Sequence, residues 1–415
     1  MITKRQNEYD NFDILTDFEN LYNSHRECRK GKLWKDSAAS YDIRAIECTL
    51  YLQAMLARGS YKMSDYHCFT INERGKERNI KSTQYKDRVV QKCLDKNIIK
   101  PRIVPTFIYE NGASLEGKGT DFNLDELEKD MREYYRKHGT EGYFLVGDFS
   151  KYFDSIDHGV LQRMYEKEFK DERILKLIHD IHSSIEGGKG VALGNEVSQT
   201  DAIMAANPID HMIKEVLQIK YYGRYMDDFY LIHPSKEYLK HCLKEIRKKA
   251  EELGLKLNEK KTKIVPITTG INFLGFRFYM TSTGKVIVRL KSKNKNRRRR
   301  KLRKQKKLLL QGKIRMEDIQ QSYDSWKAHA SRGNTYYMLR DMDKYFYGLF
   351  KDFTKGGKEN GKTTKQLTSR SSHQGHNNHI QRNTDFVESN GAWTRRRSIW
   401  LHRTCNKEYY QFEVF

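Results

Sequence analysis

Proline is scarce in this chain, with five residues among 415. So few prolines exclude a long proline-rich linker. Cysteine is also sparse, because the six residues lie far apart and no Cys-x-x-C pair occurs. Wide spacing of this kind indicates reduced thiols in a reducing cytosol rather than a disulfide framework.

Long apolar runs are absent as well. No stretch reaches the roughly 18 consecutive apolar residues that indicate a transmembrane helix. The N-terminal sequence MITKRQNEYDNFDILTDF lacks the apolar segment of a secretory signal. We therefore expect no membrane span and a cytoplasmic location.

Positive charge, by contrast, is abundant. The chain has 78 Lys and Arg against 54 Asp and Glu, a formal net charge of +24. A protein this basic needs a polyanionic partner, for which nucleic acid is the default and an anionic membrane surface the alternative. The aromatic share of 12%, with 26 Tyr and 19 Phe, is high for so polar a chain and indicates a folded protein.

Apolar periodicity predicts the main elements along the chain. Residues 68–80 alternate and predict a hairpin around Arg74 and Gly75, and residues 143–147 and 271–280 predict strands. A continuous apolar run such as 143–147 is typical of a strand buried on both faces. The predicted helices lie at 41–58, 82–99, 158–169, 172–185, 199–219, 236–253 and 316–350.

Three carboxylates stand out against this pattern. Asp148 ends the buried strand, and Asp227 and Asp228 lie about 80 residues later at the predicted tip of an aromatic hairpin, YYGRYMDDFYLIH. Adjacent carboxylates in a partly dry setting repel each other and require a cation or a raised pKa. Mg²⁺ prefers oxygen ligands, and two ions about 3.5 to 4 Å apart can catalyse phosphoryl transfer. The alternative is a solvated surface turn.

Seven segments, taken together and in order, resemble the motifs of reverse transcriptases. YGRYMDDFYLI resembles the family's Y-x-D-D box, and FLVGDFSKYFDSIDH resembles the first catalytic motif. The resemblance covers about residues 40–350. The remaining segments that carry it are FTINERGKERNIKSTQYKDRVVQKCL, FIYENGASLEGKGTD, GVALGNEVSQTDAIMAANPIDHMIKEVL and LGLKLNEKKTKIVPITTGINFLGFRFY, whose last part matches both the lysine-bearing segment and the F-L-G-F hairpin.

The resemblance implies roles for the catalytic residues. Asp148 and Asp227 would hold two Mg²⁺ ions, for which Mn²⁺ can substitute, with help from the Phe149 carbonyl. Asp228 would support them. Lys261 matches the lysine proposed as general acid toward the pyrophosphate leaving group, although a charged turn explains EKKTK equally well.

Nucleotide contacts are implied in the same way. Lys76 and Arg78 match the basic pair that grips the triphosphate, and a solvated basic hairpin is the alternative. Phe153 lies where the family has its sugar gate, so a bulky ring there would collide with a ribose 2′-hydroxyl. A simple core aromatic is the alternative for Phe153, and a core ring can also serve as a gate.

The third palm motif departs from the usual family pattern. Most reverse transcriptases have Q-G followed by S-P, whereas this chain has Leu193 and Gly194 followed by Ser198 and Gln199. The L-G-N-E-V-S-Q sequence resembles reverse transcriptases of diversity-generating retroelements. Losing a polar nucleotide contact at Leu193 should relax discrimination, so we expect low-fidelity copying.

The fold class expected from the resemblance is α+β, a right-hand polymerase fold with fingers, an antiparallel palm sheet and a helical thumb. The segment 291–307 contains 12 Lys or Arg and no acid, and belongs to the expected thumb. The expected divisions are an N-terminal extension at 1–40, fingers at 41–142, palm at 143–285, thumb at 286–352, and a polar, weakly structured tail at 353–415.

The function implied is that of an RNA-directed DNA polymerase in a bacterial retroelement. Its partners would be an RNA template, a DNA or RNA primer, deoxynucleoside triphosphates and an accessory protein subunit, without a membrane. Three alternatives stay open: a defence-associated reverse transcriptase, an intron maturase, and a non-catalytic nucleic-acid-binding scaffold.

Overall fold

The computed structural model describes residues 8–73 and 76–354. Most of the predicted tail, and residues 1–7 of the predicted N-terminal extension, lie outside the described residues. The strands are β1 His67–Glu73, β2 Lys76–Ser82, β3 Tyr143–Asp148, β4 Tyr221–Tyr225, β5 Asp228–His233, β6 Lys263–Pro266, β7 Ile271–Phe273, β8 Phe276–Met280 and β9 Val286–Leu290.

Helices account for most of the remaining described chain. They are α1 Asp13–Thr16, α2 Phe18–Cys28, α3 Asp36–Ile43, α4 Ala45–Ala57, α5 Tyr85–Leu94, α6 Lys100–Ile103, α7 Thr120–His138, α8 Tyr152–Ser155, α9 His158–Glu168, α10 Glu172–Ser183, α11 Val197–Ala205, α12 Asn207–His211, α13 Lys236–Glu252, α14 Ser292–Leu310, α15 Met316–Ala330, α16 Tyr336–Leu349 and α17 Lys351–Thr354. The π-helical segments Asp95–Ile99 and Met212–Val216 extend α5 and α12. None of the helices in the described ranges is long and apolar enough to cross a bilayer.

The predicted helix over 41–58 is wrong in detail, because the chain breaks at Arg44 into α3 and α4. The side of α4 that faces the core carries Leu52 and Leu56, which are 2% and 3% exposed. Ile46 and Leu50 form an apolar stripe at the helical spacing that predicted the helix. This stripe faces outward instead, since the two residues are 62% and 51% exposed. Tertiary packing therefore selects a different face from the one that periodicity indicates.

Capping side chains begin the helices around the central sheet. Asp157 caps α9, Asp171 caps α10, and the Ser235 hydroxyl accepts a hydrogen bond from the Tyr238 N–H at the start of α13. A side-chain oxygen at this position satisfies one of the backbone N–H groups that a helix start leaves unpaired. Gly254 follows α13 with φ +73°, the left-handed conformation that favours glycine after a helix. These helices begin and end close to their predicted bounds.

Two hairpins flank the central sheet. β1 and β2 pair antiparallel from His67 with Ser82 to Glu73 with Lys76, which confirms the predicted hairpin, although residues 74–75 lie outside the described ranges. The predicted single strand over 271–280 is wrong, because it turns at Leu274 and Gly275 into β7 and β8. Both turn residues have positive φ, +43° and +91°, so the chain reverses there rather than continuing.

The central sheet has the order β4-β5-β3-β6, and all of its pairs are antiparallel. Every residue of β3 after Tyr143 is buried, as its continuous apolar sequence predicts. A side chain larger than hydrogen does not fit at Gly147, since a Cβ there would lie 2.0 Å from Cζ of Phe229. This close packing holds β3 and β5 in the register that sets Asp148 opposite Asp228.

A buried ion pair connects the sheet to the helices beneath it. Arg224 and Asp210 are both fully buried, and the guanidinium donates to both carboxylate oxygens, Nε to Oδ1 at 2.7 Å and Nη2 to Oδ2 at 2.5 Å. Nη2 also donates to the Ile203 carbonyl at 2.9 Å, and Nη1 donates to the Met226 carbonyl at 3.0 Å. Burial alone would lower the pKa of Arg224, but the charge of Asp210 raises it above its usual value.

The predicted helix over 199–219 is divided at Ala206, a residue with φ −100° and ψ 0° that lies between two helices. α11 ends before this residue and α12 begins after it, with Pro208 in the first turn of α12. Proline suits a first turn because its missing N–H would have no helical partner there. The division places α11 and α12 so that Arg224 bonds with both.

The last three long helices form a group around their own apolar cluster. Its buried members are Leu302, Ile319, Tyr323, Met342, Phe346 and Phe350. Within the basic helix α14, Arg298 is buried, donates to the Ser322 hydroxyl at 3.1 Å and lies over the Tyr323 ring. Other basic side chains of α14 are exposed, among them Lys293, Arg297, Arg300, Arg303 and Lys304.

Breaking the buried ion pair should destabilise the protein strongly. Arg224→Leu leaves the Asp210 carboxylate buried without its cation, which costs about 3 to 5 kcal/mol. Arg132→Leu is the matched control, because Arg132 forms an exposed pair with Glu128 that is worth at most about 1 kcal/mol. Urea unfolding of both variants measures the difference, and equal losses would contradict this interpretation.

The stability of the protein should also depend on pH through Asp130. Burial raises the pKa of this carboxyl to about 7, against an opposing hydrogen bond that the Tyr230 hydroxyl donates. A raised folded pKa stabilises the native state below the unfolded value, about 3.9, and this contribution is lost as pH rises through 7. Asp130→Asn should reduce the fall in urea midpoint between pH 4.5 and pH 8, whereas Asp36→Asn, at an exposed carboxylate, should not.

Candidate active site

The three predicted carboxylates meet where the central strands end. Asp148 is the last residue of β3, Asp228 is the first of β5, and the two are direct cross-strand partners. The Phe149 N–H donates to the Asp227 carbonyl at 3.1 Å, which ties the hairpin turn to the end of β3. The predicted convergence of the two motifs is therefore present in the fold.

The hairpin turn that carries Asp227 has an unusual backbone. Met226 has φ +53°, a left-handed conformation that a non-glycine residue rarely adopts. The Arg224 guanidinium donates to the Met226 carbonyl and so holds this conformation from beneath. Strained backbone of this kind persists only where the surrounding structure holds it in place.

Burial and repulsion among the carboxylates change the pKa of one of them. Burial and the charges of Asp227 and Asp148 together raise the pKa of Asp228 to about 7, and the charge of Lys261 opposes them. Asp148 itself is only 3% exposed. A site that holds several carboxylates at this density favours a bound cation.

Lys261 provides one such cation from the chain itself. Its ammonium forms an ion pair with Oδ2 of Asp148. Burial would lower the pKa of Lys261, but its hydrogen bond with Asp148 and the charges of the three carboxylates raise it. The predicted general acid is thus in direct contact with the predicted metal ligand.

Asn258 is a residue of the site that the motif comparison did not single out. Its side-chain amide donates to Oδ1 of Asp148 at 3.1 Å, and its backbone N–H donates to the Asp148 carbonyl at 2.7 Å. The available signal was its position three residues before Lys261, in the turn LNEKKTK. Arg224 is a second residue that the motif comparison does not single out. A charged residue within an otherwise apolar, aromatic strand could have indicated its importance.

The chemistry of these residues fits a divalent metal ion as cofactor. The oxygen donors of Asp148 and Asp228 suit a hard cation, and the raised pKa of Asp228 reflects negative charge that a cation would neutralise. Among the described residues, no group of three His, Cys, Asp or Glu is already arranged as a metal site. The Lys261 ammonium holds one oxygen of Asp148, so a metal ligand role for that oxygen requires the ammonium to move.

Phe149 and Phe153 lie beside the carboxylates. The Phe149 ring is buried and stacks on Tyr152 at 5.3 Å between centroids, while its backbone forms a bridge with Leu257. Phe153 is half-buried and meets Tyr152 edge-on at 6.1 Å. Phe153 therefore packs against the core while part of the residue stays accessible.

The loop before α11 touches the hairpin of β1 and β2. A Cβ on Gly194, which has φ +122°, would lie 3.2 Å from the Lys81 carbonyl, so glycine allows the close approach. Leu193 is half-buried in this loop, and Gln199 is exposed on α11. Arg78 and Lys76 lie on the neighbouring strand β2, but their side chains are outside the described residues.

A second contact holds the same loop to the chain around β1. The Asn195 side chain donates to the Tyr66 hydroxyl at 2.9 Å, and this hydroxyl also hydrogen-bonds with the Ser184 hydroxyl at 2.9 Å. The predicted nucleotide residues Leu193 and Gly194 are thus fixed relative to β2. The structure brings these loop residues together with the hairpin.

The profile of the family described as "Reverse transcriptase (RNA-dependent DNA polymerase)" matches residues 68–278, just over half of the chain. The match confirms the predicted α+β right-hand polymerase fold. Domains of this family generally use divalent metal ions. No curated protein matches the chain.

Telomerases are among the similar solved structures. Telomerase from Candida albicans, in complex with a TWJ fragment of telomeric RNA, matches at 13% identity and a TM-score of 0.41, over 60% of this chain and 51% of that chain. Apo telomerase from Candida tropicalis, truncated from the C-terminal domain, matches at 14% identity and a TM-score of 0.38, over 58% and 60%. This chain thus spans about half of the length of the first of them.

Scores this low do not allow any residue of the telomerases to be equated with one here. The family assignment rests on the profile match, which runs from the β1 hairpin through the carboxylate motifs to β8. The chain belongs to the reverse transcriptase family.

Proposed function

We propose that this protein is an RNA-directed DNA polymerase that adds deoxynucleotides to a primer 3′-end. The observation that carries the proposal is the cross-strand pair of Asp148 and Asp228, with Asp227 in the adjoining turn. Burial, together with repulsion from Asp227 and Asp148, raises the pKa of Asp228 to about 7. An intact carboxylate set argues against a non-catalytic scaffold.

In the proposed reaction the primer 3′-oxygen forms a bond with the α-phosphorus, and the bond to pyrophosphate breaks. Asp148 and Asp227 would hold two Mg²⁺ or Mn²⁺ ions, with support from Asp228 and the Phe149 carbonyl. Such ions would lower the pKa of the primer hydroxyl and neutralise charge on the triphosphate. The Lys261 ammonium, already paired with Asp148, would donate a proton to the departing pyrophosphate.

Nucleotide binding is assigned to the hairpin and to the loop that touches it. Lys76 and Arg78 lie on β2, next to the hairpin turn, where basic side chains can bind a triphosphate. The close approach of Gly194 to the Lys81 carbonyl sets the Leu193 loop beside this strand. Gln199, exposed on α11, completes the proposed set.

Template and primer would be bound partly by the basic helix α14. Its exposed Lys and Arg side chains suit phosphate contacts, which fix the position of a duplex without reading sequence. Binding should weaken steeply as salt rises, because each neutralised phosphate releases counterions. An RNA template, a DNA or RNA primer, and an accessory protein subunit that adds specificity are the proposed partners.

We propose low-fidelity copying because the third palm motif departs from the usual pattern of the family. Leu193 replaces a polar nucleotide contact, and an apolar side chain cannot penalise a mismatched hydrogen-bonding pattern. This feature favours a bacterial diversity-generating retroelement over the defence-associated and maturase alternatives. Sequencing of the copied DNA separates them, since untemplated or repetitive products would favour a defence enzyme. A cytoplasmic location fits this proposal.

Removing one catalytic carboxylate should abolish synthesis while leaving binding intact. Asp227→Asn keeps the size of the side chain but removes the charge that an ion requires, so we expect primer extension on an RNA template to fall by at least about a thousandfold. Template–primer affinity, measured by fluorescence anisotropy, should change by less than about twofold because the phosphate contacts are elsewhere.

The control for this experiment is Asp65→Asn, at an exposed carboxylate outside the carboxylate cluster. It should extend primers as the unmodified protein does. Normal extension by Asp227→Asn would show that the site is assigned to the wrong residues. An unmodified protein that binds primed RNA but never extends it would favour the scaffold.

Shortening the proposed sugar gate should admit ribonucleotides. Phe153→Ala removes the ring that would collide with a ribose 2′-hydroxyl, so we expect the preference for dNTPs over NTPs, measured as the ratio of kcat/KM values, to fall by at least about tenfold. Phe353→Ala, at a 37% exposed ring near the end of the described chain, is the control and should keep the preference. If Phe153→Ala keeps the preference for dNTPs, Phe153 is a core residue and does not act as the sugar gate.

A further inference from the structure

One asparagine connects the Lys261 turn to the end of β3. Asn258 donates from Nδ2 to Oδ1 of Asp148 at 3.1 Å and from its backbone N–H to the Asp148 carbonyl at 2.7 Å. Its own Oδ1 accepts a hydrogen bond from the Lys260 N–H at 3.2 Å. Its carbonyl accepts hydrogen bonds from the backbone of Lys261 and Thr262, at 3.0 and 2.9 Å. A single residue thus shapes the turn and contacts the proposed metal ligand.

The chemistry of this position requires an amide. The carbonyl oxygen of an asparagine accepts and its NH₂ group donates, so one side chain can satisfy both the Lys260 N–H and the Asp148 carboxylate. An aspartate there would accept from Lys260 but could not donate to Asp148 in its ionised form. A serine would accept from Lys260 in the same kind of turn, though its shorter side chain would not reach Asp148.

The contact divides the two oxygens of Asp148 between different partners. Oδ1 bonds with the neutral amide of Asn258, and Oδ2 pairs with the mobile cationic end of Lys261. Rotation of a carboxylate about its last bond is only weakly restricted by its own torsional preference. A directional bond to one oxygen therefore determines where the second oxygen points, whether or not the ammonium is in place.

We propose that Asn258 is a positioning residue: its amide fixes the plane of the Asp148 carboxylate and so sets where the oxygen now paired with Lys261 points when that oxygen binds a metal ion. This inference rests on the proposed polymerase function. A neutral donor suits the task, because it orients the carboxylate without cancelling the charge that attracts a divalent ion. Asn258 itself touches neither substrate nor ion in this role.

Two substitutions separate positioning from a structural role in the turn. Asn258→Ser and Asn258→Asp both retain an acceptor for the Lys260 N–H, and both lose the donor to Asp148. We expect kcat for deoxynucleotide addition to fall about tenfold to a hundredfold, the range for a hydrogen bond to a charged group. KM for the nucleotide and template–primer affinity should each stay within about twofold of the unmodified values, and the urea midpoint should be unchanged.

A metal titration gives a readout that does not depend on synthesis. Mn²⁺ binding to the protein without substrates, followed by electron paramagnetic resonance, should be weakened several-fold in Asn258→Ser. Asn258→Asp is left out of this titration because its added charge would attract cations by itself. The matched controls are Asn11→Ser and Asn11→Asp, since Oδ1 of Asn11 accepts from the Asp13 N–H at 2.9 Å in the same two-residue turn, on the exposed surface.

Each outcome decides between the alternatives. Reduced kcat in both Asn258 variants and weaker Mn²⁺ binding in Asn258→Ser, with unchanged Asn11 variants, support positioning. Unmodified kcat in folded Asn258→Ser and Asn258→Asp, together with unmodified Mn²⁺ binding in Asn258→Ser, overturns it, as does a loss confined to the urea midpoint. If the unmodified protein and the Asn11 controls fail to extend primers, the polymerase proposal has failed, and the Mn²⁺ titration still tests the role of Asn258.

Discussion

The ion pair between Arg224 and Asp210 is the interaction on which the site depends most. It lies entirely out of water, where an unpaired charge would cost several kcal/mol, so both partners must stay in place. Arg224 also bonds with carbonyls of α11 and of the Met226 turn. One guanidinium therefore determines the position of a helix, a strand and the turn before Asp227, and the hairpin cannot shift without breaking it.

Beside this pair, at the end of the central sheet, like charges lie close together and repel one another. Three carboxylates share one end of the sheet, and their repulsion together with burial raises the pKa of Asp228 to about 7. The tight packing of Gly147 on Phe229 maintains the register that brings Asp148 and Asp228 together. Lys261, which pairs with Asp148, relieves part of this repulsion. A site held together against its own repulsion is ready to bind cations, which is the chemistry that the proposed polymerase requires.

The other parts of the proposed machinery are connected to this centre through short contacts. The Gly194 loop lies against β2, and Asn195 bonds with Tyr66, so the proposed nucleotide residues move with the hairpin. Asn258 connects the Lys261 turn to Asp148 in the same manner. Loops positioned by a rigid sheet are the usual location of binding residues. In this protein the sheet supplies the carboxylates, and the loops around it supply the groups that orient them.

The sequence by itself determined the family, the α+β class, the three carboxylates and the capped helices α9, α10 and α13, because these depend on local patterns and motif order. Tertiary structure alone decided which face of α4 is buried, where the 199–219 helix divides, and that Asn258 reaches Asp148. The outward stripe of Ile46 and Leu50 illustrates the reason. Periodicity shows that a face is apolar, whereas the neighbouring elements determine which face is covered. Contacts between residues more than a hundred positions apart, such as Asn258 with Asp148, exist only after the chain has folded.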